Sequence, residues 1–354
     1  MFLNRLSAAE QAAAHLREEL SRGRWSGTMP GQAKLAKELG VSRVTAEAAL
    51  RQLETEGLLI GQGPGRSRLI PDSGKDNSKP LRVALLLHER NNEQNSYMVE
   101  LRHALEEAGH TTLTANETLT DMMMDLQKVA RLVKKTAADA WIVCAASRNV
   151  LEWFSQQPIA SFALFGRRSS LPMPGTGPNK PPAIASITRH LIDLGHKRIV
   201  LLCRSLRRLP EPGTSEKAFL NELANHGLSA GTFNLPDWTE TREGFQNVLD
   251  SLFRVTPPTA LIIDEAPFVV ATMQFLISRN LRIPEDVSIV GTDADPAFEW
   301  CEPQIAHIRW DAQPVVRRIV NWTKGVSRGK RDMRQTAVPA EFFVGGTTGP
   351  APVE

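Results

Sequence analysis

The sequence predicts an α/β protein in two parts: a small helical head ending in a β-hairpin, and a larger unit built on parallel sheets. Three observations carry this. Between Gln32 and Glu56, two helical patterns flank a glycine turn, and a glycine-rich run, Gly61-Gln62-Gly63-Pro64-Gly65, then separates two short strand-like runs. Residues 71–80, PDSGKDNSKP, are polar and rich in Pro, Gly and Ser, which reads as a linker. From Leu81 onward strand-like and helix-like runs alternate, the pattern of a parallel sheet covered on both faces.

The totals agree with a soluble globular chain. At 354 residues it has room for two or three domains, and 42% hydrophobic against 23% charged residues permits a sizeable core. The head, residues 1–70, holds ten Lys and Arg against seven Asp and Glu, so it carries the whole net charge of +3. Cys144, Cys203 and Cys301 lie far apart with no CxxC spacing. That suggests reduced thiols in the cytoplasm, with Cys144 and Cys203 packed in apolar runs, and it implies no metal site. No apolar run approaches the ~20 residues of a membrane span, and the N-terminus turns polar too soon for a signal peptide.

In the head, Ser7 to Arg22 reads as an amphipathic helix opened by a Ser7–Glu10 capping box and stopped by Gly23. Trp25 is expected to pack in the short strand that follows. Gln32 to Leu39 forms a second helix, with Gly40 free to take the left-handed conformation that ends it. Ser42 caps a third helix to about Glu56. In it Ala46, Ala49, Leu50 and Leu53 face inward, while Arg43, Glu47 and Arg51 line the opposite side. Leu58–Ile60 and Arg66–Ile70 can pair as a hairpin.

Two helices joined by a short glycine turn can set the second into the major groove of DNA. Arg43 is then the natural reader of guanine, because its planar fork matches O6 and N7. Ser42 and Thr45 would contact phosphate or bases. Gly63 and Gly65 let the hairpin backbone approach the neighbouring groove, and Arg66 and Arg68 would neutralise phosphates. An ordinary three-helix subdomain with a solvated face would share the bare pattern. The run GRWSGTMPGQAKLAKELGVSRVTAEAALRQLETEGLL is more specific. It resembles the winged helix-turn-helix of the GntR family of bacterial regulators, and the likeness spans residues 7–70. That resemblance implies a DNA-binding head. Glu47 departs from it, standing near a position where the family usually has Arg, and Gly31 replaces a usual Ser. Glu47 could accept from cytosine N4, but pairing with Arg43 or Arg51 one turn away fits better.

In the larger unit, strand-like runs are Leu81–Leu87, Thr111–Ala115, Ala140–Cys144, Ile159–Phe165, Arg198–Cys203, Thr259–Ile263, Val287–Gly291 and Ile305–Arg309. Helical patterns lie between most of them. The Pro/Gly-rich interruption at Leu171–Pro182 falls midway and favours two three-layer lobes. In such folds ligands bind beyond the carboxyl ends of the strands. That rule selects His88 and Glu89, Ser147 and Arg148, Arg167, Arg204, Asp264 and Glu265, and Asp293. Trp238 beside Asp237 could hold a sugar-like polyol, the ring covering an apolar face while the acid takes hydroxyls; core packing is the alternative for Trp238.

The segments TRHLIDLGHKRIVLL, PPTALIIDE, LRIPEDVSIVGTDAD and VPAEFFVGGTT resemble the effector-binding domain of the LacI/GalR family, whose fold is that of periplasmic binding proteins. The likeness covers 81–348 and is strongest from Ser186. The whole chain then reads as an N-terminal winged helix-turn-helix plus a two-lobed periplasmic-binding-protein-like domain with parallel three-layer α/β/α lobes. The resemblance implies a first lobe of about 81–166 and 296–325 and a second of about 167–293 and 326–348. Three crossings are implied, near Gly166, near Asp293–Pro296 and near Asp311 or just after it. It also implies a ligand-contacting Asp293 and a homodimer formed through helices in 92–109 and 297–325. Ala294, Ser215, Ile263 and Trp310 depart from the family pattern. Trp310 replaces a usual Gln and joins the pocket candidates, and the reworked set argues against assuming a common pentose or hexose.

The expected partners are double-stranded operator DNA, a sugar-like effector and a second copy of the chain, with no cofactor and no membrane. Two rivals remain. An enzyme lacks support, since GxSxG, HExxH, Walker A and GxGxxG are all absent and Arg66 stands where a third Gly would belong. A solute-binding receptor would share the sensing fold but leave residues 7–70 without a role.

Overall fold

The computed structural model describes residues 7–21, 24–25, 27–63, 67–70, 79–205, 208 and 211–353. The chain divides into two compact units, 1–78 and 79–354. The expected helix stop at Gly23, the wing residues Gly65 and Arg66, and most of the linker lie outside the described residues.

The head contains α1 (Ala8–Ser21), α2 (Gln32–Leu39) and α3 (Arg43–Thr55). The capping box forms as expected: the Ser7 N–H donates to Glu10 Oε2 at 2.7 Å, and the Glu10 N–H donates to Ser7 Oγ at 3.2 Å. Helix α2 ends on Gly40, whose φ of 65° lets its N–H return to the Ala36 carbonyl. One apolar cluster unites the helices: Ala12, Ala13, Leu16 and Leu20 of α1, Leu35 of α2, and Ala49, Leu50 and Leu53 of α3. Leu59 and Ile70 bring the hairpin onto the same core. In the hairpin Ile60 and Leu69 exchange both backbone bonds, at 2.8 and 2.9 Å. Thr28 pairs with Leu69 from the other side, so the short strand expected after α1 closes a third edge.

In the second unit, the first lobe is a parallel sheet in the order β2-β1-β3-β4-β5. Its strands are β1 (Arg82–Leu86), β2 (Thr111–Thr114), β3 (Ala140–Cys144), β4 (Ala160–Leu164) and β5 (Gly175–Thr176). Alternate residues face opposite layers, which is why the central strands β1, β3 and β4 are mostly apolar, whereas the edge strand β2 is threonine-rich. Val83, Leu85, Ile142 and Phe162 meet α4 (Ser96–Glu107), while Ala84, Leu86, Trp141 and Val143 meet α5 (Leu126–Lys135) and α6 (Arg148–Gln156). Cys144 lies in the first of these layers, and burial pushes its thiol up to about 12.

The second lobe is a sheet in the order β6-β11-β10-β9-β8-β7. Its strands are β6 (Pro178–Asn179), β7 (Ile199–Leu202), β8 (Ala260–Ile263), β9 (Ser288–Gly291), β10 (Ala306–Trp310) and β11 (Val338–Phe343). On one face lie α7 (Pro181–Asp193) and α8 (Thr214–Asn225), with Cys203 in that layer. On the other lie α9 (Arg242–Val255) and α10 (Ala266–Ser278).

The lobe boundaries differ from those expected. The chain stays with the first lobe past Gly166, because Leu171 and Met173 belong to its core and β5 pairs with β4. It crosses at Gly177, between β5 and β6, where a Cβ would lie 2.8 Å from the Phe165 ring. It does not cross at Asp293–Pro296: Phe298 and Ile305 sit in the second lobe's core, and β10 pairs with β9. The second crossing follows β10, after which α11 (Gln313–Ser327) returns Val315, Val316, Ile319 and Trp322 to the first lobe. Residues 326–336 stay there, with Gln335 bridging to Gly175, and the third crossing leads into β11. Because β11 arrives from the other lobe it runs antiparallel to β10, so this sheet is not wholly parallel as expected.

Candidate DNA-binding surface and ligand cleft

The outward face of α3 follows from its buried one. Ala46, Ala49, Leu50 and Leu53 are fully buried, which turns Arg43, Val44, Glu47, Ala48 and Arg51 outward. Ser42 and Thr45 spend their polar atoms on each other: the Thr45 N–H donates to Ser42 Oγ at 3.1 Å, and the two hydroxyls lie 2.8 Å apart. Ser42 is the N-cap of α3, as expected, and Thr45 is the residue whose N–H it satisfies.

Glu47 and Arg68 also take different places. Arg68, expected to neutralise a phosphate, instead donates to Glu47 at 2.7 Å and to Glu54 at 2.8 Å and is largely buried. Glu47 was expected to pair with Arg43 or Arg51. It does accept from Arg51 at 3.3 Å, but Arg68 of the hairpin is its principal partner. Hydrogen bonds from Arg68 hold the Glu47 carboxyl below its ordinary range. These contacts fasten the wing to α3. Gly63, in the wing, has a φ of 100°, reached without strain only by glycine. Arg43 makes no ion pair among the described residues.

In the larger unit, residues that follow the strand ends of the two lobes bond to one another. Arg204, 5% exposed, follows β7 and meets three carboxylates. It donates to Glu265 at 2.8 and 2.9 Å, reaches Glu240 at 3.4 Å, and bonds Glu89 of the opposite lobe. Its guanidinium lies 4.9 Å from the Phe268 ring centre. Burial works against the charge, but the three carboxylates outweigh it and raise the Arg204 pKa. Asp293 follows β9 and accepts from Lys180 at 2.6 Å. Burial pushes its pKa up; Lys180 opposes this, and nearby Asp264 and Glu265 add to it. Asp264 accepts from the Thr292 hydroxyl at 2.7 Å. Thus Arg204, Asp264 and Asp293 are brought together as the strand-end rule requires.

The remaining candidates divide. His88 is buried at the end of β1, and its carbonyl accepts from the Thr120 N–H at 3.0 Å. Arg167 crosses the cleft to the Glu211 carbonyl at 2.5 Å. Ser147 is half-buried at the N-terminus of α6 without a side-chain cap bond. Trp310 packs against Tyr97 and Phe165 of the other lobe, with ring centres 5.8 and 5.6 Å away, and so joins the lobes at the second crossing. Trp238 is corrected outright. It is buried, donates Nε1–H to the Cys203 carbonyl at 2.9 Å, and packs on Phe245 and Phe268. It is the core residue beneath Phe268, not an open platform for a polyol. Asp237 beside it turns outward to Arg208 at 2.6 Å.

Sequence reasoning missed Lys180, Glu240 and Phe268. Lys180 lies in the stretch read only as an interruption, and its partner Asp293 is 113 positions away. No local pattern reports such a pairing.

Among the described residues no helix is long and apolar enough to cross a membrane. Residues 8–66 match the bacterial regulatory proteins of the gntR family, and residues 188–348 match a periplasmic binding protein-like domain. The chain is 25% identical over 245 residues to the HTH-type transcriptional repressor PurR of Haemophilus influenzae, covering 64% of this chain and 68% of that one. A LacI family transcriptional regulator from Mycobacterium smegmatis shares the fold with a TM-score of 0.64 at 19% identity, covering 77% of this chain and all of the other. One from Enterococcus faecium, with bound ribose, gives 0.62 at 17%, covering 76% and 99%. The chain therefore joins a DNA-binding domain of the gntR type to a two-lobed periplasmic-binding-protein-like domain with the fold of LacI-family regulators.

Proposed function

We propose that this chain is a one-component transcription repressor: it binds a palindromic operator as a homodimer and responds to a sugar-like molecule held between its lobes. Residues 1–70 are the DNA-binding domain, 71–80 the tether and 81–348 the sensor. The protein acts by binding rather than by catalysis, in the cytoplasm where its operator lies. The observation that carries this reading is the outward face of α3, a capped helix turned away from a complete apolar core and presenting Arg43. The PurR relative supports the repressor sense, and the ribose-bound neighbour supports a sugar-like ligand. Arg204, Asp264 and Asp293 at the strand ends are the polar groups for that ligand.

Two-fold symmetry of the protein requires two half-sites. Val99 on α4 and Trp300, 90% exposed, lie within the two segments expected to form the dimer surface. Effector binding changes the lobe angle and with it the spacing of the two heads. A coupling of ~1–3 kcal/mol changes operator affinity roughly 5–150-fold.

The test is selection of bound DNA from a random pool by the full-length chain, followed by thermal shift against sugars, sugar phosphates and nucleosides. Enrichment of an inverted repeat, and a ligand that raises the melting temperature and alters operator affinity, are the expected results. Failure to enrich any sequence would sink the reading.

A further inference from the structure

Val44 is the most exposed large apolar side chain among the described residues of the head, at 80%. Folding does not account for it. At about 100° per residue, Val44 lies about 180° round α3 from buried Leu53, so it contributes nothing to the core. A β-branched residue is also a poorer helix former than the Ala, Glu or Lys that would serve a solvated position. It stands in the first turn of α3, where a helix-turn-helix meets base edges.

Its neighbours narrow its role. Ser42 and Thr45 are engaged in the cap, and Glu47 is engaged by Arg68 and Arg51. Arg43 and Val44 remain, with exposed Ala48 one turn beyond Val44 on the same side. An arginine suits guanine, and a branched apolar group in the major groove suits the 5-methyl group of thymine.

We propose that Val44 is a specificity-determining residue: its methyl groups pack on the 5-methyl of one thymine in each half-site, beside the guanine read by Arg43. This rests on the DNA-binding reading above, and the experiment separates the two. The operator is first selected with the wild-type chain, and absence of any selected sequence would fail that reading rather than this inference. Each thymine of the selected site is then replaced in turn by deoxyuridine, which removes only the methyl group. Wild type should lose about fourfold per half-site at one position, or about 15-fold when both half-sites are substituted, from the lost burial of one methyl. Val44→Ala should bind the thymine operator more weakly by a similar factor and become indifferent to deoxyuridine. Val44→Thr, which keeps one methyl, should retain part of the sensitivity. The position is exposed, and circular dichroism melting checks that both variants are folded. Wild type indifferent to deoxyuridine everywhere, or Val44→Ala as sensitive as wild type at the same position, would overturn the proposal.

Discussion

Arg43 and Glu47 lie one turn apart on the same helix face and have opposite fates. Arg43 is exposed and makes no ion pair among the described residues, so its five donors are available to a base edge. Arg43→Ala should cost ~1–3 kcal/mol on the selected operator and relax preference at one position per half-site, while binding to random DNA changes little. Competition binding with both DNAs measures this; equal losses on both would make Arg43 a phosphate contact. Glu47 is a structural acid. Its pKa is lowered by Arg68, so the stabilisation is complete above the ordinary carboxylate range and disappears as pH falls through the folded value. Glu47→Gln at pH 7 should cost the wing about 0.5–1 kcal/mol, read as roughly 2- to 5-fold faster exchange of the Ile60 and Leu69 amides. Wild type and variant should converge as the carboxylate is protonated. The outward face of α3 was legible from periodicity. The Arg68 bond was not, because it joins residues 21 apart across a turn that no short-range pattern specifies.

Elements show why the crossings expected near Gly166 and Asp293–Pro296 were misplaced, while the one expected near Asp311 was not. Strand and helix positions follow from apolar runs and spacing, and they agree with the structure to within a residue or two for all eight expected strands. The two-residue strands β5 and β6 are too short to leave a pattern, yet they carry the chain from one sheet to the other. Gly177 between them is pressed against Phe165. Gly177→Ala should destabilise the sensor by about 1–3 kcal/mol, since the Cβ must displace an aromatic ring in a packed crossing. Urea unfolding would measure it, and an unchanged midpoint would show that the crossing tolerates a side chain. Helix α11 lies in the lobe expected for it. The family resemblance put 296–325 in the first lobe, and the helix's Val315, Val316, Ile319 and Trp322 do pack there, but the segment before the helix, to Trp310, belongs to the second.

At the scale of the whole sensor, the Glu89–Arg204 bond ties the lobes together across the cleft. The two ends of this bond are not equivalent. Arg204→Met removes the buried cation that Glu89, Glu240 and Glu265 share, and should cost about 3–5 kcal/mol. Glu89→Gln leaves Arg204 with Glu240 and Glu265, and should cost no more than about 1 kcal/mol while loosening the closed arrangement. Urea unfolding separates the two costs, and small-angle scattering of Glu89→Gln should show a larger radius of gyration. Equal costs would mean that the three carboxylates do not depend on Arg204.

By itself the sequence determined the class of each part, the order of the elements, the inward faces of the helices and the strand-end positions from which a ligand can be held. Those features rest on local periodicity and on short-range rules of capping and turning. Tertiary structure alone decided which side chains are consumed within the protein. Arg68 went to Glu47, Trp238 to the Cys203 carbonyl, and Arg204 to acids from both lobes. The reason is that a polar group's role is set by what lies within about 3 Å of it. Two residues far apart in sequence acquire that proximity only when the chain has closed.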